Sequence, residues 1–63
     1  MMTIATMDWI AGMVLRADNG NLDPGRMNSL LAESGFIMEW IDRKARTIEV
    51  SEYIGGDIWT VSY

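Results

Sequence analysis

The sequence predicts an α+β fold: two short N-terminal helices packed on one face of a three-stranded antiparallel meander, in the order ααβββ. Three observations carry this. From Phe36 to Tyr63, apolar and polar residues alternate with the period of two that a half-buried strand requires. Gly55-Gly56 interrupts that alternation between two β-rich runs, as a tight hairpin turn does. Before Gly35 the apolar residues recur at helical spacing instead, and Asp23-Pro24 is a helix-start signal.

Thr3 or Thr6 is the expected N-cap of a first helix that runs to about Ala17. Asp8 in its first turn and Arg16 in its last suit the helix dipole. Ile10, Met13, Val14 and Ala17 form its buried stripe, and Trp9 either flanks that stripe or stands exposed. Gly12 costs roughly 1 kcal/mol against Ala in a helix interior, and close packing on the sheet would account for it. Asn19-Gly20 supplies a left-handed C-cap. In the second helix Asp23 caps, Pro24 takes the first position, and Met27, Leu30 and Leu31 face inward. Gly35 closes this helix.

The first strand, Phe36 to about Asp42, is expected to point Phe36, Met38 and Trp40 inward, because the other phase would bury Glu39. A short turn at Arg43-Lys44-Ala45 then sets Trp40 opposite Ile48 and Met38 opposite Val50. A two-residue type I′ turn at Gly55-Gly56, where both residues need positive φ, sets Tyr53 opposite Ile58, Glu52 opposite Trp59, Ser51 opposite Thr60 and Val50 opposite Val61. Each hairpin separately gives Ile48 and Val50 the inner face, together with Trp59, Val61 and Tyr63. The outer face receives Ile37, Ile41, Tyr53 and Ile58 among Glu39, Glu49, Ser51 and Thr60. Glu39 and Glu49 become direct cross-strand neighbours, an arrangement of like charges that destabilises a sheet. Such a face is either ordinary solvated surface or a partner surface with apolar contacts inside an acidic rim.

Composition narrows the function. The 63 residues suffice for one domain, and a domain of this size buries only ~60% of the surface its unfolded chain exposes. The chain has no Cys and no His, which removes disulfides, the usual zinc sites and nucleophile–histidine pairs. The carboxylate pair Glu39 and Glu49 lies on an open face without a cleft to shift a pKa or exclude water, so no enzyme, metal or cofactor is expected. Asp18 to Asp23 fails the calcium-loop pattern, since Gly20 and Leu22 occupy ligand positions. Gly55-Gly56 precedes no helix and cradles no phosphate. The six methionines are accounted for as core filling and chain start.

Charge points to the kind of partner. Nine acidic residues face five basic ones, net −4. Arg43, Lys44 and Arg46 cluster at the first hairpin turn, which leaves nine acids against Arg16 and Arg26 elsewhere. Such a field repels nucleic acid and attracts basic surfaces. A winged helix-turn-helix is excluded on the same ground, because its recognition helix would carry only Arg26, with Glu33 against it. No segment approaches the ~20 apolar residues of a membrane span, and no signal peptide is expected. With no Cys in the chain, a cytoplasmic protein, monomeric or homodimeric, is expected.

In size, single-domain build and acidity, the chain resembles the small phage-encoded anti-CRISPR and other host-defence inhibitor proteins. The resemblance implies a bacterial host cell and binding to a basic, nucleic-acid-binding effector complex. Carboxylates would occupy a channel built for phosphates, or the protein would wedge against an effector subunit. Asp8, Asp18, Asp23, Glu33, Glu39, Asp42, Glu49, Glu52 and Asp57 are then the candidate carboxylates. On the sheet, Glu39, Glu49, Asp42, Glu52 and Asp57 form the expected partner surface, with Tyr53, Ile37 and Ile41 as apolar anchors. The alternative is a non-enzymatic homo- or hetero-oligomeric interaction module, antitoxin-like or a phage accessory protein.

Overall fold

The computed structural model describes residues 2–53 and 56–63. It has the element order α1 (Ile4–Asp18), α2 (Pro24–Glu33), β1 (Phe36–Asp42), β2 (Thr47–Glu52) and β3 (Ile58–Ser62). The strands form one antiparallel sheet in the order β1-β2-β3, with the helices on one face.

Thr3 caps α1, its hydroxyl accepting from the Thr6 N–H at 3.1 Å. The helix therefore starts at Ile4, and Asp8 falls beyond the first turn rather than within it. At the other end Gly20 takes φ +79, and its N–H and that of Asn21 donate to Ala17 O and Arg16 O. These two bonds satisfy carbonyls that the helix end would otherwise leave unpaired. Asp23 caps α2 by accepting from the Arg26 N–H at 3.0 Å, with Pro24 at the first position. Ile10, Met13 and Val14 from α1 and Met27 and Leu31 from α2 are buried, as their spacing requires. Gly12 does not pack closely on anything: a Cβ there would meet no atom within 4 Å.

The inner face of the sheet supplies Phe36, Ile48, Val50 and Val61 to the same core, with Met38, Ile41, Trp59 and Tyr63 packed at its margin. Two of these positions revise the expected registers. The β1–β2 turn takes four residues, because Asp42 pairs with Thr47. The Asp42 carboxylate accepts from the Lys44 and Ala45 N–H groups at 3.1 and 3.0 Å, holding the turn as an Asx turn does. Arg46 completes it in the left-handed region at φ +57. Its strain is held by three contacts with the last residue. The Arg46 Nε donates to Tyr63 O, the Tyr63 N–H donates back to Arg46 O, and the guanidinium lies 5.2 Å from the Tyr63 ring centre.

The extra turn residue offsets the pairing by one, and a β-bulge between Met38 and Trp40 takes the offset back. Beyond the bulge Trp40 pairs with Glu49 and Ile41 with Ile48. Trp40, expected inside, is therefore outside and 64% exposed, while Ile41, expected outside, packs against the core. Glu39 and Glu49 are not opposite one another, so the expected like-charge pair does not form.

In the second hairpin Val50 pairs with Trp59 and Ser51 with Ile58, and the Glu52 N–H donates to Asp57 O. This register differs by two residues from the one a two-residue turn would give. A shift of two leaves every side chain on its expected face. The connection is 53–56, and the turn expected at Gly55-Gly56 lies partly outside the described residues. The Tyr53 N–H goes to Gly35 O across the sheet, so Tyr53 extends the β1–β2 ladder and not the β2–β3 one. Among the described residues no helix is long and apolar enough to cross a membrane.

Candidate functional site

The outer face of the sheet is bare of helices, and large apolar side chains stand on it. Ile37 and Ile58 flank Ser51 on neighbouring strands, and Trp40 lies one pair further along beside Glu49. Ile58 is 61% and Ile37 41% exposed. Ser51 is buried although it points outward, and its hydroxyl donates to Glu39 Oε1 at 2.8 Å. That bond holds the bulge residue over the middle of the face. The result is an apolar patch with a fixed carboxylate in it and the half-buried Glu49 beside Trp40.

The strands that carry this patch hold charge of one sign. β1, β2 and β3 contain four carboxylates, Glu39, Asp42, Glu49 and Glu52, and no Lys or Arg. The cations are at the end of the sheet, in the Arg43–Arg46 turn, where Arg43 Nε pairs with Asp18 Oδ1 at 2.9 Å. That pairing ties the turn to the last residue of α1.

The expected partner residues are thus only partly brought together. Ile37, Glu39 and Glu49 share the outer face, and Asp57 is exposed just before β3. Asp42 is occupied in the turn, and Ile41 belongs to the core because the bulge has exchanged it with Trp40. Glu52 and Tyr53 line a second feature instead. This is an open groove of about 520 Å³ between Thr6 and Trp9 of α1, the Ser34–Phe36 junction and the end of β2. Trp40 and Ile58 are the most exposed large apolar side chains of the three strands, and Trp40 escapes sequence reasoning. The signal that would find it is Asp42, whose Asx-turn preference implies a longer turn and hence a shifted phase.

Chemically the outer face offers carboxylates that accept hydrogen bonds and pair with cations, hydroxyls, and apolar surface. Among the described residues no group of His, Cys, Asp and Glu side chains is placed to hold a metal ion. Comparison with known protein families, curated proteins and solved structures found no match.

Proposed function

We propose that this chain is a non-enzymatic inhibitor of the anti-CRISPR type, which docks the outer face of its sheet on a basic, nucleic-acid-binding effector protein and denies it nucleic acid. One observation carries the reading: Trp40, Ile37 and Ile58 are exposed together on strands that hold four carboxylates and no cation. An exposed aromatic centre with polar surroundings is the composition of interface hot spots. A rim of one sign selects a partner of the other and speeds its capture. Apolar area supplies the affinity in this arrangement, with Glu39 and Glu49 selecting for arginine- and lysine-rich surfaces. Such effectors act in the bacterial cytoplasm, which is where the protein would work.

Tagged protein bound to effector complexes from a bacterial lysate, eluted with salt and with duplex DNA, tests this. The expected partner is a nucleic-acid-binding protein that both eluents release. Trp40→Ala, and separately Glu39→Lys with Glu49→Lys, lose it while keeping the wild-type circular dichroism spectrum. Undiminished capture by both variants would place the contact elsewhere, and a partner that DNA does not displace would end the inhibitor reading.

A further inference from the structure

The two edges of the sheet are built differently. The β1 edge is bulged at Glu39 and carries Glu39 and Asp42, and bulges and charges are what natural sheets use to prevent a further strand from pairing. The β3 edge, Ile58–Ser62, has no bulge, proline or charge. Its hydrogen-bonding direction follows from the ladder. Asp57 and Tyr63 bond towards β2, at Glu52 and Arg46, so the alternate residues Ile58, Thr60 and Ser62 turn their N–H and C=O groups away from it. All three residues are exposed, and among the described residues none of their backbone groups finds a partner outside β2. The same region holds two buried side-chain atoms without a hydrogen-bond partner among the described residues, Trp59 Nε1 and the Tyr63 hydroxyl.

We infer that β3 is a homodimerisation edge, pairing antiparallel with β3 of a second copy about a twofold axis at Thr60. The register is self-complementary. Thr60 meets its own copy, Ile58 meets Ser62, and each outward N–H and C=O of these three residues acquires a partner. Charge favours this edge over the other, since no carboxylate of β3 meets its equivalent, whereas β1 against β1 would bring Glu39 and Asp42 towards theirs. The two sheets join into one, with both outer faces on the same side and all helices on the other. A chain too small to bury much of its own surface gains area in this way. The inference is independent of what the outer face binds, because the paired edge leaves Trp40 and Ile37 uncovered.

Sedimentation velocity over a concentration series, with residue-resolved amide exchange, tests the pairing. The wild type is expected to approach twice the chain mass of 7.1 kDa, with the amides of Ile58, Thr60 and Ser62 gaining protection as concentration rises. Thr60→Lys sets two like charges directly opposite each other and raises the dimer dissociation constant roughly tenfold or more. Asn28→Lys, an equal change of charge on the exposed side of α2, leaves it unchanged. A wild type that stays at the monomer mass at millimolar concentration overturns the inference. So does a dimer whose Thr60 amide exchanges freely, or one that Thr60→Lys does not weaken. Capture of the effector by a strictly monomeric protein would leave the outer-face reading standing.

Discussion

The two faces of this sheet are made from the same three strands and experience opposite environments. On the inner face Ile48 and Val50 are fully buried and Val61 nearly so, in one core cluster with side chains from α1 and α2. On the outer face Ile37, Trp40 and Ile58 are exposed, beside Ser51 and Glu49. Side chains of one chemical class therefore serve stability on one side and remain available for a partner on the other. Burial assigns the roles here, and hydrophobicity alone does not.

The contrast is most sharply broken by removing the same atoms from each side. Ile48→Ala leaves a cavity in the core and costs about 2–5 kcal/mol, enough to unfold much of a domain this small. Ile58→Ala on the outer face changes stability by less than ~0.5 kcal/mol. Urea unfolding followed by circular dichroism measures both, and a similar loss at the two positions would mean the outer face is covered in solution. The next effect is a gain. Gly12→Ala adds a methyl into open space on α1 and stabilises by roughly 0.8–1 kcal/mol, read as a raised urea midpoint at unchanged slope. A loss instead would show that α1 meets a surface at Gly12. Smaller than this gain is the loss from Ser51→Ala, which removes the hydroxyl bound to Glu39 and costs about 0.5 kcal/mol, because the exposed carboxylate regains water. Amide exchange at Glu39 and Trp40 should quicken more than exchange in β2. Equal changes in both strands would show that the bulge does not depend on this bond.

How much of this was legible beforehand depends on the parity of each register error. Helix starts at Asp23-Pro24 and at Thr3 or Thr6 and stops at Gly20 and Gly35 follow from local chemistry, and the structure has them there with Thr3 as the first cap. The β2–β3 register differs by two residues, yet Trp59, Val61 and Tyr63 keep their face, since alternation is blind to even shifts. In the first hairpin the turn is longer by one. An odd shift would turn the strand over, and the chain resolves the conflict with a bulge that alternation does not encode. Trp40 and Ile41 change places for that reason, and with them the centre of the candidate site. The carboxylate rim was readable as composition. Its arrangement was not, because Asp42 is spent on the turn and Glu39, at the bulge, is held by Ser51.

The bulge also has a genetic meaning. Met38 points in and Trp40 points out whether or not a residue stands between them, so an in-frame loss of codon 39 would leave a regular strand with every core side chain in place. Loss of codon 40 would equally leave a regular strand, with Glu39 in the place of Trp40, whereas loss of codon 38 would set Glu39 on the inner face opposite Val50. Length can therefore vary at positions 39 and 40 of this strand without disturbing the core. Loss of codon 39 would also remove the carboxylate at the centre of the outer face.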